Sequence, residues 1–466
     1  MINLKNKIFN LPVIVIIFGC LIRIFGYTST AIRYDEALSL YRATIPFAQF
    51  LHDQQYYSSL ILWEFILRLV AKLSHALWVV RLPSVVFGLF SLFLIWKLIV
   101  HLKFSIRQQL FVLFIIAFCP GLIWISQDAR QYILFIDIYL LSIIFALEKK
   151  WLGLFAVCSL SIYTHVIGPA FALGALSLAI IQYPKNWKRI LIIGVSSAVI
   201  WCLWLVLYFN IQPTTGFSNE FWLGNLGITE AYRNIFVGYF ISMPDPYMVI
   251  IFMATLIISV IFSIYYSIRN RGVCTIIFLV PLIAILLESL IWKNTLFWRT
   301  IILLIIPLIL WIGQNLTLNN GKYFGWVIIT LWIVITIAGV LKWNPVNNGG
   351  KLDMAAKLID ESWKNGDIIY FGTGTVAMPF NYYLNDKPEF LIDGITNSSL
   401  TPPTLHLFAR IRLESIPYKR VWLIYPTDNL MPLEQQDRLK FYARSGRLIT
   451  TIKTIETPDI LVYLIE

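Results

Sequence analysis

Residues 247–267 read YMVIIFMATLIISVIFSIYYS and contain no charged side chain. As an α-helix, a run of this length rises about 30 Å, which matches the hydrocarbon core of a bilayer. Backbone groups in hydrocarbon must be satisfied within the segment, so such a run is read as a membrane-spanning helix. Working outward, comparable runs occur at 8–27, 80–101, 108–125, 131–148, 151–165, 166–183, 189–210, 273–292, 300–318 and 322–342. With the first they predict a polytopic α-helical membrane protein of about eleven transmembrane helices. Within 151–183, Gly168 and Pro169 are compatible with either a hairpin or a kink. The run 57–73 is also apolar, but Glu64 and Arg68 interrupt it, and it reads as a helix lying at the membrane interface.

Composition agrees. The chain is 58% hydrophobic and only 13% charged, against about 25% charged in soluble domains. The formal net charge of +12 does not point to a nucleic-acid partner, because many of the cations lie in short loops between apolar runs. The five cysteines, Cys20, Cys119, Cys158, Cys202 and Cys274, fall in or beside those runs without a CxxC pair, so no disulfide framework or zinc site is expected. Lys5 and Lys7 precede the first run, and no small-x-small cleavage pattern follows it. The expectation is an uncleaved first helix.

Charge asymmetry orients the spans. With the N-terminus cytoplasmic, the inner loops hold Lys5 and Lys7; Lys97, Lys103 and Arg107; Lys149 and Lys150; Lys185, Lys188 and Arg189; Arg269 and Arg271; and Lys322. Each carries Lys or Arg, as the positive-inside rule asks. An odd count then places the C-terminus outside. The outward loops 28–79 and 211–246 are long and carry mixed charge, including Asp35, Glu36, Asp53, Glu64, Glu220 and Asp245. Beyond 343 the composition becomes that of a small α/β domain. Lys351 to Trp363 reads as an amphipathic helix, Asp367–Phe371, Val421–Tyr425 and Ile460–Ile465 as strands, and 403–415 as a further helix. The expected organisation is a membrane domain over 1–342, with the outer loop 28–79, and an extracytoplasmic domain over 343–466.

Four polar groups stand at the outward ends of spans. Arg33-Tyr34-Asp35-Glu36 pairs two carboxylates just beyond the first span. Adjacent carboxylates raise one another's pKa, which suits one as a base, while the plain reading is first-turn acids of a helix. Ser126-Gln127-Asp128-Ala129-Arg130-Gln131-Tyr132 lies between two spans. Arg130 offers a fork suited to phosphate, or pairs with Asp128 to close a short loop. His165, in Tyr163-Thr164-His165, is either a packing residue or a ligand donor. Arg299, in Phe297-Trp298-Arg299, is either a snorkelling cation or a second phosphate ligand. The topology puts all four on one face, which favours a joint functional reading. Gly372-Thr373-Gly374-Thr375-Val376-Ala377 fits a loose GxGxxA pattern, but Pro379 follows and no acidic partner has strand context, so no dinucleotide site is expected. There is no P-loop, GxSxG or HExxH, and the Asn397-Ser398-Ser399 sequon carries no inference.

The order of these motifs resembles a known family. An acidic pair in Tyr34-Asp35-Glu36-Ala37-Leu38-Ser39 is followed by Tyr56-Tyr57 and Leu62-Trp63, then Arg81-Leu82-Pro83-Ser84. Next come the Ser126-to-Tyr132 stretch, Tyr163-Thr164-His165, and, in the C-terminal region, Lys351-Leu352-Asp353 and Asn381-Tyr382-Tyr383-Leu384. Together they resemble the bacterial branch of the dolichyl-phosphate-mannose protein mannosyltransferases (glycosyltransferase family 39), which have the GT-C fold. The lipid A aminoarabinose transferase is a relative. One departure is clear. His52-Asp53-Gln54-Gln55-Tyr56-Tyr57 stands where the family has a His-Pro-Pro-Leu-Tyr-Tyr segment, which bears on the acceptor side.

The resemblance implies transfer of a sugar from a polyprenyl-phosphate donor to an acceptor glycan, lipid or protein outside the bacterial plasma membrane. It implies Asp35 as base, with Glu36 orienting the acceptor or holding a cation. Arg130, Arg299, His165, Asp128 and Tyr132 would bind the lipid phosphate, and His52, Tyr56 and Tyr57 the acceptor side. No cofactor is required on this reading. A divalent cation, if present, would sit on Asp35 and Glu36. Two other readings use the same features: a transporter or flippase of lipid-linked sugar, and a non-catalytic membrane scaffold.

Overall fold

The computed structural model describes residues 4–53, 61–211, 228–241, 246–270, 272–291, 298–316, 322–342, 352–372, 374–384, 390–392, 409–410, 413, 420–426, 433–452 and 460–465. Each of the eleven apolar runs holds an apolar helix among the described residues. These helices are α1 (Leu4–Ile24), α5 (Leu77–His101), α6 (Ile106–Phe118), α8 (Tyr132–Leu147), α9 (Trp151–Ser161), α10 (Gly168–Gln182), α11 (Trp187–Ile211), α13 (Pro246–Asn270), α14 (Val273–Ile291), α15 (Trp298–Asn315) and α16 (Lys322–Lys342). Four stretches, Leu77–His101, Pro184–Leu203, Pro246–Ile268 and Gly325–Lys342, are long and apolar enough to cross a bilayer by length and composition, and shorter apolar helices accompany them. Large apolar side chains stay exposed along their faces, such as Ile17, Phe18 and Leu21 on α1 and Ile250, Ile257 and Ile261 on α13. In water such faces would aggregate; in hydrocarbon they cost nothing. The chain is an integral membrane protein.

Local chemistry sets the breaks. Ser105 and Gln108 form a capping box that starts α6, with the Ser105 N–H donating to Gln108 Oε1 at 2.9 Å. The run 108–125 is not one helix as expected. Pro120 lacks an N–H and cannot continue α6, so Cys119 turns extended and α7 (Pro120–Ile125) begins. The ambiguous stretch 151–183 is a hairpin, with the turn at 162–167 and Pro169 in the first turn of α10, where its missing donor costs nothing. An unexpected helix, α12 (Ile228–Phe240), lies within the loop 211–246. Its Phe236, Tyr239 and Phe240 are buried in the same core as Trp332.

The chain divides into two compact bodies. The first is Met1–Tyr27, Gln54–Ile66 and Arg81–Trp343, and the second is Thr28–Asp53, Leu67–Val80 and Asn344–Glu466. Much of the loop expected to belong with the spans therefore folds with the C-terminal region. In the second body, α2 (Tyr34–Thr44) and α3 (Phe47–Asp53) accompany the C-terminal end of α4 (Ile61–Ala71), α17 (Leu352–Ser362), α18 (Gly374–Tyr383) and α19 (Leu433–Arg444). The strands are β1 (Asp367–Phe371), β2 (Phe390–Ile392), β3 (Ala409–Arg410), β4 (Arg420–Pro426), β5 (Arg447–Ile452) and β6 (Ile460–Ile465). They form one sheet in the order β3-β2-β1-β4-β6-β5. The pairs from β3 to β4 are parallel, and β6 runs antiparallel to both β4 and β5. Within the expected helix 403–415, Ala409–Arg410 is instead a short strand beside β2. The core holds Ile368, Tyr370, Val421, Leu423, Leu439, Tyr442 and Ile465.

Candidate functional site

In the first body the loop 126–131 between α7 and α8 is buried throughout. Arg130 is 7% exposed and Asp128 3%. Burying a charged loop is costly unless its polar groups find partners, and three elements supply them for its backbone carbonyls and for Gln127. From α5, the Ser84 hydroxyl donates to the Asp128 carbonyl at 2.5 Å. From α4, the Trp63 indole N–H donates to the Ala129 carbonyl at 2.9 Å. The Gln127 amide reaches the end of α1, donating to the carbonyls of Ile22 (3.2 Å), Arg23 (2.9 Å) and Phe25 (2.8 Å). Arg23 answers from α1, donating to Ala117 (2.7 Å) and Ile116 (3.2 Å) at the end of α6 and to Gly19 within α1 (2.9 Å). Two helix C-termini, each ending in orphan carbonyls, are thus capped reciprocally by side chains from the other's neighbourhood. Gly88 of α5 completes the fit. A Cβ there would lie 2.5 Å from that of Ser126, so only glycine lets α5 approach the loop.

Next to this loop stands His165, in the turn between α9 and α10. Its ring lies 5.9 Å from that of Tyr132 and 5.5 Å from that of Phe135. Burial, then the positive charge of Arg130, pushes its pKa down to about 3. The imidazole is neutral at physiological pH. Its Nδ1 accepts the Ile167 N–H at 3.4 Å, which leaves Nε2–H as a donor. Arg130, Tyr132 and His165 are therefore neighbours, with Asp128 in the same buried loop. Gln131, 2% exposed, was not singled out from sequence, yet its Oε1 accepts no hydrogen bond among the described residues. Arg299 belongs to the same body, in the first turn of α15. A cation there faces the positive end of the helix dipole, a placement better suited to holding an anion than to capping.

Asp35 and Glu36 lie in the second body, in the first turn of α2. Glu36 is fully buried and its Oε2 accepts the Arg33 N–H at 3.2 Å, with the Arg33 guanidinium 3.7 Å away. That is the helix-start role. Asp35, one residue earlier, is partly exposed. The Arg68 guanidinium caps the other end of α2, donating to Ile45 (2.6 Å) and Ala43 (3.3 Å), and lies over the rings of Phe47 and Phe50. From α18, Tyr383 Oη accepts the Ile32 N–H at 2.9 Å and Tyr382 donates to the His75 carbonyl at 2.8 Å. Among the acceptor-side residues, Tyr56, Tyr57 and the side chain of His52 lie outside the described residues.

The GxGxxA stretch follows β1 and opens α18, as a dinucleotide loop would. Its first glycine is explained by packing instead. A Cβ at Gly372 would lie 2.6 Å from that of Tyr425, and the Gly372 carbonyl accepts the Gln435 amide at 2.8 Å.

The fold defines the class: an integral membrane protein of GT-C architecture. Its helical body carries a braced cationic loop, and its sheet-bearing body an acidic helix start. Two solved structures share this fold. ArnT from Cupriavidus metallidurans in the apo state superposes with a TM-score of 0.63, and the same protein bound to undecaprenyl phosphate with 0.59. In each case the identity is 12% and the match covers 97% of both chains. No family model and no curated protein matches the sequence.

Proposed function

We propose that this protein transfers a sugar from a polyprenyl-phosphate donor to an acceptor hydroxyl at the membrane surface. The observation that carries the reading is the loop 126–131. It is a buried Arg130 beside a neutral His165, rigidly braced, on a fold shared with a protein that binds undecaprenyl phosphate. A preorganised cation costs no reorganisation when the donor's glycosidic bond breaks and the electron pair leaves on phosphate. Arg130 and Arg299 hold that phosphate, and the His165 Nε2–H and Tyr132 add hydrogen bonds. Asp35 takes the proton of the acceptor hydroxyl as its oxygen bonds to the anomeric carbon. The polyprenyl monophosphate is a stable leaving group, so neither a general acid nor a cofactor is invoked. A divalent cation stays an open addition that chelator treatment tests. The membrane orientation belongs to the same proposal: N-terminus cytoplasmic, sheet-bearing body outside, with reporter fusions at the two termini as its check.

The test uses purified full-length protein with a radiolabelled polyprenyl-phosphate sugar and a mixed glycan, lipid and peptide acceptor pool. Donor should be consumed. Asp35→Asn should lower the rate about 10²–10⁴-fold, the range for loss of a general base, while leaving donor binding intact. Arg130→Ala should weaken donor binding. Unimpaired turnover by Asp35→Asn would remove the base assignment. Binding without turnover by the wild type would favour a carrier of lipid-linked sugar.

A further inference from the structure

Away from the loop 126–131, two turns of the first body are locked together. The Tyr183 hydroxyl, after α10, donates to the Leu147 carbonyl at the end of α8 at 2.5 Å. Its ring meets Trp151 edge-on at 6.0 Å. The junction gathers Lys149, Lys150, Lys185, Lys188 and Arg189, with Lys97 from α5. One acid stands among them. Glu148 is engaged by Lys97 at 2.9 Å and Lys150 at 2.7 Å, which hold its carboxyl below the usual range. Lys149, Lys185, Lys188 and Arg189 are exposed, with no ion pair among the described residues.

Three observations separate this patch from an ordinary solvated turn. First, Lys149 adopts φ +57° in a helix-ending turn in which the Lys150 N–H bonds to the Phe145 carbonyl at 2.9 Å. Glycine is the usual residue in that conformation. Second, the cations are stationed on rings. The Lys149 ammonium lies 4.4 Å from the Tyr183 centroid, Arg189 5.8 Å from Trp151 and Lys188 5.9 Å from Trp187. Third, Leu152 is 81% exposed and Trp187 48%, beside these charges. Apolar and aromatic groups interleaved with cations suit the headgroup layer of a bilayer, where both kinds find partners.

We propose that this junction is a docking surface for anionic phospholipid, its headgroup phosphate seated on Lys149, Lys188 and Arg189. The surface stands independently of the transferase reading. Basic clusters beside membrane helices attract anionic lipid with about 1 kcal/mol per cation, about fivefold in affinity.

The test is native mass spectrometry of the full-length protein in neutral detergent, titrated with phosphatidylglycerol or phosphatidylcholine. The wild type should bind phosphatidylglycerol at least tenfold more tightly. Replacing Lys149, Lys188 and Arg189 together by Gln should abolish that preference and leave phosphatidylcholine binding unchanged. Glu148→Gln releases Lys97 and Lys150 from their acid, so it should raise phosphatidylglycerol affinity; this arm decides the matter if the triple variant does not fold. Equal binding of the two lipids, an unchanged preference in the triple variant, or unchanged or weakened binding in Glu148→Gln each overturns the proposal. So does displacement of phosphatidylglycerol by equimolar inorganic phosphate, which would mark a site for a soluble anion.

Discussion

The reciprocal caps of Arg23 and Gln127 make the sharpest prediction, because the sign of a small change can be worked from hydrogen-bond chemistry. Gln127 Nε2 has two N–H groups and serves three carbonyls, those of Ile22, Arg23 and Phe25. Gln127→Ala removes two N–H donors at about 1 kcal/mol each and leaves carbonyls at the end of α1 without a donor, for a total of about 3 kcal/mol. Gln127→Glu is nearly isosteric, so packing alone predicts a milder loss. The electrostatics predict the reverse. A carboxylate only accepts, so it faces three acceptors, and it sits at the negative end of the α1 dipole, which adds about 0.3–1 kcal/mol. Thermal unfolding in detergent at pH 7.5 should therefore rank wild type above Gln127→Ala above Gln127→Glu. A Glu variant as stable as the wild type refutes the capping argument. The loop gives a second readout. Because Gln127 adjoins Asp128, amides of 126–131 should exchange faster in both variants.

His165, with a pKa near 3 when folded and about 6.5 when unfolded, leaves the folded state uncharged while the unfolded chain takes up a proton. Stability from this group is whole above pH 6.5 and is lost as pH falls toward 3, by about 2 kcal/mol at pH 5; His165→Phe should flatten that part of the thermal profile. Asp367, buried, accepts from Arg420 (3.2 Å), Trp422 Nε1 (3.0 Å) and the Lys364 N–H (3.0 Å), so Asp367→Ala should cost about 3–5 kcal/mol by stranding its partners. Asp367→Asn, which still accepts, should cost less, and chemical denaturation followed by sheet circular dichroism compares the two. Tyr383→Phe removes the acceptor for the Ile32 N–H, at about 1–2 kcal/mol. Faster hydrogen exchange at Ile32, three residues before Asp35, should accompany a fall in turnover without a change in donor binding.

The spans were legible because their signal is additive over some twenty residues, and no local exception erases it. The strands Asp367–Phe371 and Ile460–Ile465 were legible for a related reason: short apolar runs bounded by turn residues leave few alternatives. The break at Pro120 was readable in principle, since proline cannot continue a helix, but an apolar run on both sides hid it. The short strand at Ala409–Arg410 carried too little pattern to be told from a helix.

The candidate site divides along the same line. Residues that carry charge at the end of a span, such as Arg130 and Arg299, advertise themselves because charge near hydrocarbon is costly. Those that make such charge tolerable do not. Trp63 lies 66 positions from the carbonyl it serves, Ser84 44 positions, and Gln127 more than 100. Their residue types are unremarkable in sequence, and only the packing of α1, α4 and α5 turns them into braces. The same distance hid the partition of the chain. Hydropathy places residues 28–79 with the spans they follow, but the hydrogen bond that ties Ile32 to the C-terminal region comes from Tyr383, 351 positions away. The backbone leading into Asp35 is therefore tied to α18 as well as to its own helix. It follows that removing the C-terminal region should act on this stretch directly. It should loosen the acidic helix start itself, and with it any proton transfer that Asp35 performs.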